Sequence, residues 1–289
     1  MEIKWDTKLY CLIGQPINKS LSPIIHNNIF KLLNQNSIYL AFNIEEDEIK
    51  STIDGFKAMG VEGFNVTIPY KKFIIKYLDD ISKEASVIGA VNTVKNYNGK
   101  FIGYNTDADG FLQTFYDNNI DIKNKNILII GAGGAAYAIA SSMAIKGVKS
   151  INIANRTLEN SIQLGRSVGK LNNEILINIV NLDLNNLNKK KIDIIINTTS
   201  LGMYPLENMV PLELNGFSSS TIVYDIIYKP CETRLIREAK FKGFKTLNGL
   251  SMLLNQAILS QNIWGNLDGK INIEIFKKIE GILPSYISI

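Results

Sequence analysis

One segment constrains the fold more than any other. The apolar run Ile127-Leu128-Ile129-Ile130 passes directly into Gly131-Ala132-Gly133-Gly134-Ala135-Ala136, and then into an apolar helical stretch that reaches Lys146. This is a G-x-G-x-x-A pattern in the strand–turn–helix setting that gives it meaning. Gly131 permits the tight turn, Gly133 lets the backbone approach a pyrophosphate, and Ala136 is small enough for the helix to pack closely on the sheet. The helix start then offers unpaired N–H groups to a phosphate. The bland alternative is an ordinary glycine-rich turn.

The next strand qualifies the ligand. A site for NAD carries Asp or Glu at the end of that strand, about twenty residues after the glycines, to hold the ribose hydroxyls. The chain reads Asn155-Arg156-Thr157 there. No carboxylate is present to repel a 2′-phosphate, and Arg156 can grip one through charge-assisted hydrogen bonds. NADP is therefore favoured over NAD, and a surface arginine without a ligand is the plain alternative.

Around this segment, strand-like and helix-like stretches alternate almost from end to end. In the first half, Leu9 to Ile13, Ile38 to Phe42, Val61 to Thr67 and Ala90 to Val94 read as strands. Pro23 to Leu33 has helical spacing, and Glu45-Glu46-Asp47-Glu48 suits a helix start. Asn98-Gly99 marks a tight turn into Lys100 to Tyr104, so a hairpin is expected there. After Asn126 the strands become short, mostly apolar runs, as happens when both faces are buried. These are Ile127 to Ile130, Ile151 to Ile153, Ile177 to Val180, Ile192 to Ile196 and Ile222 to Ile226. The expected fold is α/β with two domains, the second a doubly wound parallel sheet. The division falls near Asp107, and Leu250 to Ile263 and Ile271 to Ile282 read as closing helices.

Bulk properties exclude several classes. With 289 residues, 46% hydrophobic and 20% charged, the chain has the profile of a water-soluble globular protein of two domains. A net charge of +4 without a basic stripe argues against nucleic acid. The start, Met1-Glu2-Ile3-Lys4, lacks the apolar core of a signal peptide, and no apolar run is long enough for a bilayer. Two cysteines, Cys11 and Cys231, make no disulfide framework, and one histidine excludes a His-rich metal site. A reduced, cytoplasmic, metal-free protein with no membrane or nucleic-acid partner is expected.

Three polar clusters lie at the ends of the expected strands in the first half. The first is Gly14-Gln15-Pro16 with Ser20-Leu21-Ser22-Pro23, where Ser22 could simply cap a helix with Pro at its first position. The second is Asn65-Val66-Thr67-Ile68-Pro69-Tyr70-Lys71, with Asn65 and Thr67 on one strand face and Lys71 on a short helix begun by the proline. The third joins Asn92-Thr93 to Asn105-Thr106-Asp107, and Asp107 could be a helix cap. Together they form an inventory suited to a polyol. Hydride transfer to a carbonyl needs a proton for the developing alkoxide, and a Lys oriented by an Asp can deliver it. No Ser-His-Asp set, thiol–imidazole pair or metal cluster competes for that role.

These stretches, with Gly89-Ala90-Val91-Asn92-Thr93, Gly103-Tyr104-Asn105-Thr106-Asp107, Asn197 to Met203, Asp225-Ile226-Ile227-Tyr228, and Asn248 to Leu253 followed by Gln256, resemble the shikimate/quinate dehydrogenase family over essentially the whole chain. The resemblance implies reversible NADPH-linked reduction of 3-dehydroshikimate to shikimate, in chorismate and aromatic amino-acid biosynthesis. It implies an N-terminal α/β substrate-binding domain, residues 1–106 completed by 248–289, and a Rossmann-type NADP-binding domain, residues 107–247. Carried over by position, Lys71 is the acid/base residue and Asp107 its partner at the substrate. Ser20, Ser22, Thr67, Asn92, Asp107, Tyr228 and Gln256 hold the substrate. Gly131, Ala132, Gly133, Gly134, Ala135, Asn155, Arg156 and Thr157 hold the cofactor, with Ile226 and Gly249 at its nicotinamide end. A small-molecule substrate and a monomer or homodimer are expected.

The chain departs from the family pattern at Lys19, where a histidine is usual, at Asn160, where a second basic residue often follows the arginine, and at Lys83, which aligns with an acidic residue in many members. Two alternatives stay open: a quinate/shikimate enzyme with relaxed cofactor choice, and a non-catalytic dinucleotide-binding protein.

Overall fold

The computed structural model describes residues 2–17, 20–267, 273–283 and 286. The described residues form two compact units, one running to Asp109 and resuming at Leu254, the other Gly110–Leu253.

The first unit begins with β1 (Lys8–Gly14), α1 (Ser22–Leu32), β2 (Ser37–Asn43), α2 (Ile49–Ala58) and β3 (Gly63–Val66). It continues through β4 (Asp80–Ile81), α3 (Lys83–Ile88), β5 (Thr93–Tyr97) and β6 (Lys100–Tyr104). Its sheet runs β2-β1-β3-β5-β6-β4 and is mixed: β1 pairs parallel with β2 and β3, while β5 is antiparallel to β3 and β6. The expected hairpin is present, with Asn98 at φ 52° and Gly99 at φ 84°. Two successive residues in the left-handed region match the twist of the flanking strands.

Alternation along β1 sends Cys11 and Ile13 into a core with Phe64, Val66, Phe56 and Phe101. Tyr10 and Leu12 face the other way, onto Phe30, Tyr39 and Trp264. Gly63 is the place where the indole of Trp264 passes closest, because a Cβ there would overlap the ring. The indole N–H donates to the Val94 carbonyl at 2.9 Å.

Helix α4 (Thr106–Asp117) carries the chain into the second unit. There follow β7 (Asn126–Ile130), α5 (Gly134–Ile145), β8 (Ser150–Ala154), α6 (Leu158–Gly169), β9 (Leu176–Val180), β10 (Ile194–Asn197), β11 (Ile222–Asp225), α7 (Arg234–Phe241) and β12 (Lys245–Leu247). Helix α8 (Gly249–Trp264) returns the chain to the first unit, where α9 (Ile273–Ile282) follows. The start of the expected last helix, Ile271 and Asn272, lies outside the described residues.

The second sheet is parallel throughout, in the order β12-β11-β10-β7-β8-β9. That is the doubly wound order, whose direction reverses between β7 and β10. Ile127, Ile129, Ile151 and Ile153 pack on one face with Ile139, Met143 and Leu164. Leu128, Ile130, Ile195 and Val223 pack on the other with Leu184, Leu212 and Leu235. Burial on both faces is why β7 lacks polar alternation after Asn126, and each fully buried isoleucine contributes about 1.5–3 kcal/mol. Among the described residues no helix is long and apolar enough to cross a membrane.

Candidate active site

In the first unit, three strand ends bring the polar clusters together. Gly14 is required by a close approach: a Cβ there would overlap the methyl of Thr67. Thr67 is held in turn by its N–H, which donates to the Ile13 carbonyl at 2.9 Å. Lys71 lies in the turn that follows, not on the expected helix, and the nearest helical segment is a 3-10 turn over Phe73–Tyr77. Its carbonyl accepts from Val91 N–H at 2.7 Å, which ties the lysine to the strand end carrying Asn92.

Asn92 is buried, and its Oδ1 accepts from the Thr106 amide at 2.7 Å. Its Nδ2 donates to Thr106 Oγ1 at 3.0 Å. The start of α4 is thereby fixed against β5. Asn105 takes the capping role, its Oδ1 accepting from the amides of Asp107 and Ala108 at 3.1 and 3.3 Å. The Asp107 carboxylate is left for Lys71, whose Nζ donates to Oδ2 at 2.6 Å. The pair is half-buried, with 31% and 17% of the two side chains exposed.

Ser20 and Ser22 lie at the start of α1. Ser22 is not the N-cap: Leu21 occupies that position without a side-chain cap, and the helix includes Ser22 from its first turn. The hydroxyls of Ser20 and Ser22 bond to each other at 3.2 Å. Lys19 lies outside the described residues. Lys83 is exposed at the start of α3, where Ser82 caps the helix by accepting from Ala85 N–H at 3.1 Å.

Gln256 lies on α8, nearly buried at 9% exposure, and Ser260 follows one turn later with its hydroxyl donating to the Gln256 carbonyl at 2.9 Å. Ser260 Oγ also meets Thr93 Oγ1 at 2.9 Å and accepts from Asn65 Nδ2 at 3.1 Å. Asn65 Oδ1 accepts from the Tyr39 hydroxyl at 2.8 Å. This network behind Lys71 and Asp107 was not legible as such in the sequence. The one signal was the spacing of Gln256 and Ser260, four apart and so on one face of the helix.

In the second unit, Gly131 has φ 108°, and a Cβ there would press on Thr198. Its N–H donates to the Ala154 carbonyl at 2.8 Å. Gly133 differs. Its φ of −85° is open to any residue, and a Cβ at Gly133 or Gly134 meets no atom within 4 Å. Among the described residues none fills the space where side chains would stand, so it is available to phosphate oxygens at the start of α5. Ala136 is fully buried, which lets α5 lie close to the sheet.

Arg156 is exposed just past β8 and forms no ion pair among the described residues. Asn155 Nδ2 donates to the Thr157 carbonyl at 2.9 Å, shaping the loop around it. Asn160 is exposed on the first turn of α6.

Gly249 packs against the backbone of Ile226 and Ile227 so closely that a Cβ would overlap the Ile226 carbonyl, and its N–H donates to the Ile227 carbonyl at 3.1 Å. Gly249→Ala is expected to destabilise the protein by about 1–3 kcal/mol, the usual cost of forcing atoms into a packed interior. Urea unfolding measures this, and an unchanged midpoint would remove the close-approach account. Tyr228 is half-buried in the same unit, and burial pushes its phenol upward.

Asp225 is fully buried at the end of β11. Burial pushes its carboxyl up to about 6, against the opposing pull of hydrogen bonds from Thr233, Ile227 and Asn197. A carboxyl raised in the folded state favours folding below its unfolded value, and that contribution is lost as pH rises through about 6. Wild-type stability relative to Asp225→Asn should therefore increase as pH falls from 7.5 to 5. Urea unfolding at the two pH values tests the sign, and a gap that is constant or moves the other way contradicts it.

The parallel sheet of doubly wound order, with an open glycine turn at the head of α5, places the second unit in the dinucleotide-binding class. The first unit adds a lysine–carboxylate pair to an α/β scaffold. Residues 12–94 match the model of the shikimate dehydrogenase substrate binding domain, and residues 115–225 match that of shikimate / quinate 5-dehydrogenase. The NADP(+) shikimate dehydrogenase of Methanococcus aeolicus is 44% identical over 273 residues, covering 94% of this chain and 96% of the relative. A crystal structure of shikimate dehydrogenase in complex with NADP+ superposes with a TM-score of 0.90 at 41% identity, covering 99% of this chain and 98% of the other. Shikimate 5-dehydrogenase from Listeria monocytogenes, in complex with shikimate and NAD, gives a TM-score of 0.90 at 36% identity, covering 97% and 98%. The chain belongs to the shikimate dehydrogenase family.

Proposed function

We propose that this protein catalyses the reversible NADPH-dependent reduction of 3-dehydroshikimate to shikimate, with Lys71 and Asp107 as the acid/base pair. The observation that carries this reading is the half-buried Lys71–Asp107 contact at 2.6 Å. Bound NADPH supplies the hydride. Lys71, as an ammonium, delivers the proton to the alkoxide oxygen that develops at the reduced carbon, and recovers it when the alcohol is oxidised. Asp107 accepts one ammonium N–H, which turns the remaining donors toward the substrate, and its second oxygen can accept from a substrate hydroxyl.

Ser20, Ser22, Thr67, Asn92 and Gln256 are assigned to the substrate carboxylate and hydroxyls, and Tyr228 takes the same role by its place in the family pattern. Gly131 to Ala135 would hold the pyrophosphate, Asn155 to Thr157 the 2′-phosphate end, and Ile226 with Gly249 the nicotinamide end. Oxidation of NADPH by purified protein, followed at 340 nm with 3-dehydroshikimate, tests the assignment. Absence of turnover at saturating substrate would end it.

A second reading, use of quinate or of NAD, has specific support in the exposed Asn160 that stands where a second cation could assist Arg156. Rates with quinate and with NAD decide it.

A further inference from the structure

Asn197 and Asp225 end neighbouring parallel strands, β10 and β11, as register partners, and both are 0% exposed. Asn197 Nδ2 donates to Asp225 Oδ1 at 3.0 Å. That oxygen also accepts from the Ile227 amide at 3.2 Å, while Oδ2 accepts from the Thr233 hydroxyl at 2.6 Å. On the other side, Asn197 Oδ1 accepts from the Thr199 amide at 3.0 Å and its hydroxyl at 2.7 Å.

Each end of this chain of bonds reaches one edge of the proposed dinucleotide cradle. Thr198, next to Thr199, donates its hydroxyl to the Ile130 carbonyl at 2.7 Å and fills the space beside Gly131. Ile227 accepts from Gly249 N–H at 3.1 Å, and the Ile226 carbonyl abuts the same glycine. One buried amide–carboxylate pair thus stands behind both the phosphate turn and the Ile226–Gly249 turn. A carboxylate in the interior is expensive, and well-packed apolar residues in its place are often neutral or stabilising. Stability alone gives no reason to keep it, whereas fixed directions for four backbone and hydroxyl donors do.

We propose that Asn197 and Asp225 are positioning residues that set the phosphate turn and the Ile226–Gly249 turn in register for a single dinucleotide. The inference rests on the reading that these turns hold NADP.

The test is fluorescence titration of NADPH with wild type, Asn197→Asp, the exchange double variant Asn197→Asp/Asp225→Asn, and Thr199→Val. The KM for shikimate and the circular dichroism of each protein are measured alongside. Asn197→Asp sets two carboxylates against each other and is expected to raise the NADPH Kd at least about tenfold, with the shikimate KM changed by less than about twofold. The exchange variant restores an amide–carboxylate bond in reverse and should return the Kd to within about threefold of wild type. Thr199→Val, which removes one hydroxyl only, should raise it about three- to tenfold and serves if Asn197→Asp does not fold. Unchanged Kd in a folded Asn197→Asp or in Thr199→Val, or no recovery in the exchange variant, overturns the positioning role. Wild type that fails to bind NADPH overturns the cofactor reading and the inference with it, whereas tight wild-type binding with unaffected variants overturns the inference alone.

Discussion

Lys71→Ala is expected to lower turnover of 3-dehydroshikimate by about two to four orders of magnitude, the range for losing a positioned general acid. The expectation follows from what surrounds the ammonium. Its carbonyl is anchored to Val91, and its Nζ is held by Asp107 at 2.6 Å, so few other positions are open to it. Water could supply a proton in its place, but without the fixed direction that makes transfer efficient. NADPH affinity should stay within about twofold, because Lys71 is not among the residues assigned to the cofactor. Stopped-flow reduction at saturating substrate separates the two effects. A fall of less than tenfold would exclude Lys71 as the acid, and an equal loss of NADPH binding would point to damage of the fold.

Arg156→Ala should raise the KM for NADPH by about 10- to 100-fold while leaving that for NADH nearly unchanged. Hydrogen bonds to charged groups contribute about 1.5–3 kcal/mol, which sets the size of the loss. The selectivity follows from the position of Arg156, exposed past β8 without an ion-pair partner among the described residues. Since the side chain gives up no ion pair among the described residues, its loss should be felt only by a ligand that carries the extra phosphate. Equal losses with both cofactors would transfer the 2′-phosphate role elsewhere. Asn160→Lys is the converse test, and a further gain for NADPH alone is expected.

The doubly wound half of the molecule was the more legible one. Ile127 to Ile130 and Ile151 to Ile153 are buried on both faces, so their composition announces them without help from context. The two-residue strand Asp80–Ile81 and the three-residue strand Lys245–Leu247 are too short to show any period, and only their neighbours make them strands. Ser22 was misleading for a local reason. The Ser-Pro pair has the composition of a helix start, but Leu21 already adopts φ −85° and ψ −7°, which moves the boundary one residue earlier. At Lys71 the proline suggested a helix where the chain makes a turn.

The residue types of the site could be read from spacing and chemistry, but their meeting could not. Lys71 and Asp107 are 36 positions apart, and their contact depends on the Val91–Lys71 bond and on Asn92 gripping Thr106. The Asn65–Ser260 bond spans 195 positions, a pairing that no local pattern encodes.

The cap supplied by Asn105 has a practical consequence. Because a neighbour holds the helix terminus, the Asp107 carboxylate and the folding of α4 draw on different atoms. Asp107→Asn can therefore serve as a trapping variant: a well-ordered, slow enzyme in which substrate and NADPH coexist long enough to be crystallised together.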